Sequence, residues 1–346
     1  MLFRSMLTVY LGLALAACAP ATEAALSSTP NPTGTIQPTV TQTPSPIPTS
    51  TLTPTLTQTS IPPTPTLGIG STLVSEKDGA TLVYVPEGEF MMGSSMESAG
   101  YAYTLDGPHP FWDTAPPYSV TLAAYWIDQT EVTNRQYALC VSDNTCRPPL
   151  RFNSPTRSIY YQAPEFENFP VIHVEWNMAL DYCNWAGRRL PSEAEWEKAA
   201  RGLDGNIYPW GNVVPDNTLV NYDSRKRDTT EVGIYPGGKS VYHVYDMAGN
   251  VWEWTNSLYK PYPYNANDGR EDISVLGLRV LRGGSWYFNK GSPRSFFRFG
   301  VLPPDILVRS DLRSWAFQNN DDNKIYSWAP YGFGTVGFRC AMSANP

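Results

Sequence analysis

An α+β fold with little regular secondary structure is predicted for most of this 346-residue chain by three observations. Three helix-start signals fall in the first half of the region after residue 71. Short β-prone runs broken by Gly, Pro and Asn fill much of the remainder. The apolar content is rich in aromatics, 13% of the chain, and modest in aliphatics.

The elements follow from the N-terminus. Residues 1–18 carry Arg4, an apolar run from Leu7 to Ala17, and then Leu15-Ala16-Ala17-Cys18. This reads as a signal peptide with a lipoprotein box: small residues precede the cut, and the Cys18 thiol follows it for lipidation. An ordinary secretory signal cut nearby is the alternative, and it also exports the chain. The run is short of the roughly 20 apolar residues that span a bilayer. Membrane contact is therefore expected through the N-terminal lipid only, with the chain extracytoplasmic. Residues 19–71 are dominated by Pro, Thr and Ser, with Glu23 the only charge. Such a segment buries too little to offset its ordering entropy, and its prolines favour an extended, semi-stiff stalk.

Residues 72–346 are read as one domain, because its motifs run on without a linker. Strands are expected at Leu82 to Val85, Ser119 to Leu122 and Val280 to Arg282. Thr133-Asn134-Arg135-Gln136 is a capping box that opens a helix to about Val141. Asn177 is placed to cap a second helix, with Ala179, Leu180, Cys183 and Trp185 along its apolar stripe and Gly187 as its stop. Ser192-Glu193-Ala194-Glu195 is another capping box, and Gly202 ends that helix. The helical spacing of Glu193 and Glu197 reads as a solvated face or structural contacts.

The formal net charge is -7, with Arg and Lys scattered, which argues against nucleic acid as a partner. With Cys18 lipidated, Cys140, Cys146, Cys183 and Cys340 form an even set in an exported chain, which favours disulfides over free thiols. Four cysteines allow three connectivities. Cys140 and Cys146 flank a short polar loop after a helix, and we pair them.

Six segments in order carry a family resemblance: LVYVPEGEFMMGS from Leu82, YSVTLAAYWIDQTEVTNRQYALC from Tyr118, FPVIHVEWNMALDYCNWAGRRLPSEAEWEKAARG from Phe169, YDMAGNVWEW from Tyr245, VLRGGSW from Val280 and GFRCAM from Gly337. Together they resemble the sulfatase-modifying-factor domain of formylglycine-generating enzymes, over roughly Gly79 to Met342. The resemblance implies a C-type-lectin-like fold and a Cys183–Cys340 disulfide. It also implies structural calcium, held by a side-chain oxygen of Asp246, where the family has Asn, by the carbonyls of Gly249 and Val251, and by the carboxylate of Glu253. A second ion is implied near Asn221, the Tyr222 carbonyl and Asp223 or Asp228. Hard oxygen donors in a compact turn suit calcium; without an ion the same acids serve as turn and cap acceptors.

The family's oxidase places two copper-binding cysteines three and eight residues after the serine that matches Ser285. Here those positions are Phe288 and Pro293. Soft thiolates select copper(I), and neither replacement supplies one, so copper is not expected. Trp252 and Ser285 keep the family's pocket-lining positions. His109, His173 and His243 are isolated in sequence, and GGSW lacks the flanks of a nucleophile elbow. The stretch from Trp286 to Gly334 is rich in aromatics, Arg and Asn, including Asn319 to Asn323, and related lectin-like domains display binding residues there. Trp286, Tyr287, Arg294, Arg298, Trp315 and Tyr331 are the candidate contacts for a peptide, glycan or envelope-protein ligand. An ordinary loop insertion whose aromatics fill the core is the competing reading. The expected function is thus a binding or accessory module. The alternatives are an active oxidase converting a sulfatase-type Cys to formylglycine, and another metal-dependent oxidase of the superfamily.

Overall fold

Two four-stranded sheets and three helices organise the domain in a computed structural model, which describes residues 67–95, 101–104, 107–110, 112–289, 291–303 and 332–344. The expected signal peptide, Cys18 and nearly all of the expected stalk lie outside the described residues. The unit that carries the described residues spans Pro63–Pro346. Among the described residues no helix is long and apolar enough to cross a membrane.

The first sheet runs in the order β1 (Thr72–Val74), β2 (Thr81–Val85), β7 (Tyr125–Asp128) and β12 (Ala341–Ser343), all antiparallel. The second runs β10 (Arg298–Val301), β9 (Arg279–Arg282), β8 (Trp252–Leu258) and β11 (Val336–Phe338), with β11 parallel to β8. Among the described residues two antiparallel pairs complete the strands: β3 (Gly88–Met92) with β6 (Tyr118–Leu122), and β4 (Tyr101–Thr104) with β5 (Gly107–Pro110). The chain closes on itself, because β12 from its C-terminus pairs with β7 from its first half.

The helices are α1 (Asn134–Ser142), α2 (Trp176–Trp185) and α3 (Glu193–Arg201). Capping boxes at Thr133–Gln136 and Ser192–Glu195 open α1 and α3 as expected. The start of α2 differs. Its N-cap is Glu175 without a side-chain bond, and the Asn177 Oδ1 instead accepts from the Met178 N–H inside the first turn. Gly187 and Gly202 follow α2 and α3 at φ of 72° and 69°, the left-handed region where glycine carries no Cβ penalty.

The main core lies between α1, α2 and the second sheet, around Tyr137, Tyr182, Trp252, Trp254 and Phe338. A second cluster packs Trp196 of α3 against Val83, Val85 and Ile127 of the first sheet. Disulfides join Cys140 to Cys146 and Cys183 to Cys340, the pairing expected.

Of the two readings of Glu193 and Glu197, a solvated face or structural contacts, the second holds, since both are fully buried. The Glu197 carboxylate meets Arg201 at 2.8 Å and Arg282, and it accepts from the Gly93 N–H at 2.7 Å. Glu193 meets the Arg298 Nε at 2.7 Å. Helical spacing shows which residues share a face, but not that arginines from β9 and β10 cover it.

Candidate functional site: a buried carboxylate cluster and the Trp252–Phe288 wall

The turn before β8 is built by left-handed residues. Asp246, Gly249 and Asn250 have φ of 56°, 72° and 53°. A Cβ on Gly249 would lie 2.2 Å from the Asn221 carbonyl oxygen, so no side chain fits there. Backbone bonds then tie three segments together: the Asn250 N–H donates to the Asn221 carbonyl at 2.9 Å, Gly249 to Gly283 at 2.8 Å, and Trp286 to Asn250 at 2.9 Å.

Under this turn lie three buried carboxylates, those of Glu131, Asp246 and Glu253. Glu253 accepts from the Arg339 Nε at 2.6 Å and Nη2 at 2.7 Å, and from the Trp196 Nε1 at 2.7 Å. The Arg339 guanidinium also donates to the Asp128 and Tyr245 carbonyls at 3.0 and 2.9 Å. Glu131 accepts from the Asn250 Nδ2 at 2.6 Å and the Val251 N–H at 3.1 Å. Asp246 accepts from the Gly233 N–H at 2.6 Å. Burial pushes the Asp246 carboxyl up to about 6. It raises Glu131 well above the usual carboxylate range, and the Asp246 and Glu253 charges add to that rise.

Sequence reading missed Glu131, which stands between Thr130 and Val132 just ahead of a capping box and carries no local signal of its burial. Glu253, the expected carboxylate ligand, thus accepts from Arg339 through both oxygens and from Trp196 through Oε2. What remains is two carboxylates in excess of one guanidinium, and low-dielectric surroundings demand that protons or a cation balance them.

The second expected ion position contains an orphan. Asn221 is 2% exposed, its Nδ2 donates to the Asp228 carbonyl at 2.9 Å, and its Oδ1 has no hydrogen-bond partner. Asp228 is spent elsewhere, on Ser154, Thr156, Thr229 and Arg157. Asp223 is half-exposed and lies 3.7 Å from Arg225. The Tyr222 carbonyl accepts from the Arg225 N–H at 3.2 Å. Among the described residues no group of three or more His, Cys, Asp or Glu side chains is placed to hold a metal ion. A cation here would therefore draw on backbone carbonyls, a donor set that fits calcium.

The copper position fails the equivalent test. Phe288 stands edge-on to Trp252, with centroids 5.5 Å apart at 82°, and Phe297 and Phe299 pack on the same indole at 5.4 and 6.0 Å. Pro293 is buried, and all four cysteines of the domain are bound in disulfides. Phenyl, pyrrolidine and disulfide sulfur offer no thiolate, so these residues do not fit copper(I).

Ser285 is fully buried beside this wall, and its Oγ has no hydrogen-bond partner. Gly283 and Gly284 before it have φ of 92° and 74°. A Cβ on Gly284 would lie 2.8 Å from the Ser292 carbonyl oxygen, which explains why a pair of glycines opens the segment.

Among the described residues no histidine belongs to a group of three or more metal-ligating side chains. His173 is buried at φ 59°, and burial, reinforced by Arg151, lowers its imidazole to about 4, so it is neutral. His243 is exposed, and the side chain of His109 lies outside the described residues.

Two expected ligand contacts are corrected. Arg298 is 2% exposed, and its guanidinium is paired with Glu193 and stacked 4.3 Å from the centroids of Tyr259 and Tyr262. Trp286 is 3% exposed. Neither offers a surface, because the aromatics and acids of neighbouring elements cover them. Tyr287 and Arg294 are half-buried; Trp315, Tyr331 and Asn319 to Asn323 lie outside the described residues.

Comparison with known proteins places these features. Residues 71–307 match the family described as the sulfatase-modifying factor enzyme 1-like domain. The chain is 33% identical over 285 residues to a hercynine oxygenase of Mycolicibacterium smegmatis, covering 72% of this chain and 64% of that protein. It thus spans somewhat less than two thirds of that relative's length. It is 31% identical over 250 residues to the inactive C-alpha-formylglycine-generating enzyme 2 of Mus musculus, covering 59% of this chain and 74% of that one. The structure of PvdO from Pseudomonas aeruginosa superposes with a TM-score of 0.57 at 22% identity, over 80% of this chain and all of that one, and shows the same fold.

Proposed function

We propose that this chain, which belongs to the sulfatase-modifying factor enzyme 1-like family, works as an extracytoplasmic binding or accessory module, tethered by a lipid on Cys18. The observation that carries this reading is the aromatic wall at the copper position. Phe288 fills space against Trp252 where oxidation would require a thiolate. Similarity to an inactive formylglycine-generating enzyme supports it. The test is to load the protein with copper(I) in air, add a Cys-x-Pro-x-Arg peptide, and follow thiol-to-aldehyde conversion by mass spectrometry. No conversion beside a working family enzyme is expected; conversion overturns the proposal.

Similarity to an oxygenase favours a metal-dependent oxidase as the second reading. That reading needs a donor set, and among the described residues no group of three or more His, Cys, Asp or Glu side chains is placed to supply one.

Calcium as a structural ion belongs to the same proposal. It is supported by the excess buried charge at Glu131 and Asp246 and by the unpartnered Asn221 Oδ1. The sign of its pH dependence follows from the raised carboxyls. Without metal, the folded protein holds protons on Asp246 and Glu131 that the unfolded chain has released, so stability falls as pH rises from about 4 through 6. Calcium selects the ionised forms, and its stabilisation therefore grows over the same window. At about 100 times its dissociation constant it would add about 2.7 kcal/mol, or roughly 5–10 °C for a domain of this size. Chelated protein is thus expected to melt higher at pH 5 than at pH 7, with the calcium increment larger at pH 7 and lost in Asp246→Ala. Equal calcium increments in parent and variant would sink the ion at Asp246.

A further inference from the structure

We infer that the loop Arg225-Lys226-Arg227 is a docking site for an acidic protein segment. The inference rests on the binding-module reading and names the chemistry of its partner. These three residues are the only run of three consecutive basic residues in a chain of net charge -7. All three are exposed. Arg225 has one loose, open pair with Asp223 at 3.7 Å. Among the described residues Lys226 and Arg227 have no ion pair or side-chain hydrogen bond. Elsewhere in the domain many arginines are consumed by buried acids, as Arg188, Arg282, Arg298 and Arg339 are.

The loop is also held stiffly. Asp223, Ser224 and Arg227 have φ of 57°, 52° and 62°, a region that non-glycine residues seldom occupy. Such backbone persists only where the surroundings fix it. Here the Asp223 N–H donates to the Phe288 carbonyl at 2.8 Å, and the Ser224 N–H to the Trp286 carbonyl at 2.7 Å. At its ends the loop is closed by the buried pair Asn221 and Asp228, the Asn221 Nδ2 donating to the Asp228 carbonyl at 2.9 Å. Cations presented this way lose little freedom on binding, and two guanidiniums offer planar forks that match carboxylates.

The same surroundings decide between an acidic peptide and an acidic glycan. A sugar ring wants an open aromatic face beside the charge. Trp286 is buried, and Tyr222, 4% exposed, is covered by the Arg225 guanidinium 5.2 Å above its ring. The Tyr287 ring stands edge-on to both Trp286 and Phe288. Among the described residues the loop presents charge without a stacking platform, which suits the carboxylates of an Asp- or Glu-rich peptide.

The test is fluorescence anisotropy of a dye-labelled oligoglutamate peptide against the whole chain in detergent, at low and high salt. Two variants of equal charge change are compared, K226Q/R227Q and R135Q/R151Q, the second removing exposed cations elsewhere. Melting curves check that both fold. The expected result is parent binding that weakens with salt, a loss of about tenfold or more in K226Q/R227Q, and a change within about twofold in R135Q/R151Q. Equal losses in the two variants, no binding by the folded parent, or tighter binding of a sulfated oligosaccharide of matched charge would each overturn it. Failure here leaves the aldehyde assay untouched, and a positive aldehyde assay would fail the module reading whatever this peptide does.

Discussion

Replacing Arg339 with methionine is expected to destabilise the domain by about 3–5 kcal/mol, the usual cost of stripping one partner from a buried ion pair. The reasons lie in the cluster beneath the Asp246 turn. Arg339 is the cation bonded to Glu253, and it is fully buried in its own right. Its removal leaves Glu253 with the Trp196 indole alone, beside Glu131 and Asp246, whose carboxyls burial already raises. It also orphans the Asp128 and Tyr245 carbonyls. In a domain of this size the loss corresponds to roughly 10 °C in melting temperature. Pairing the change with Glu253→Gln should recover part of it, because the charge stranded by the single substitution is then neutral. A single variant that melts within about 2 °C of the parent, or a double variant no better than the single, would show that the pair does not govern this region.

The contrast between Arg339 and Asp246 marks how far the sequence could be read. Elements with local signatures were legible: the capping boxes at Thr133 and Ser192 start α1 and α3 at the positions expected. The three strands picked from β-prone runs lie within β2, β6 and β9. The substitution of thiolates by Phe288 and Pro293 could be read directly against the family motif. Partners distant in sequence could not be read. Glu131 meets Asn250 across 119 positions, and Arg339 meets Glu253 across 86. Nothing near either acid indicates which side chain it will meet, and the spacing of Glu193 and Glu197 left a solvated face and structural contacts equally open. Arg298 failed for a related reason. An arginine among aromatics resembles a recognition surface in sequence, whether those rings face solvent or, like Tyr259 and Tyr262, close over the guanidinium.

The two disulfides should separate by size of effect. Removing Cys183–Cys340 as a double serine variant is expected to cost about 5 kcal/mol, and removing Cys140–Cys146 about 2 kcal/mol, on the chain-entropy account. The ground for the difference is the span each bond closes, 157 residues against 6. The long closure pins α2, through Cys183, to the residue just before β12, and the backbone there is shared by other contacts. The Cys340 N–H donates to Asp128 at 2.8 Å, and the Arg188 N–H to the Cys183 carbonyl at 2.7 Å. Asp128 in turn meets the buried Arg188 guanidinium, which also holds Asp78. Losing the long bond therefore frees the unfolded chain and loosens a buried ion network, while losing the short one releases only the turn after α1. Denaturant midpoints of the two double variants, measured without reductant, decide it. A larger loss at Cys183–Cys340 fits this account. Equal losses would mean that native packing of the sulfurs, and not the length of chain enclosed, sets what each bond contributes.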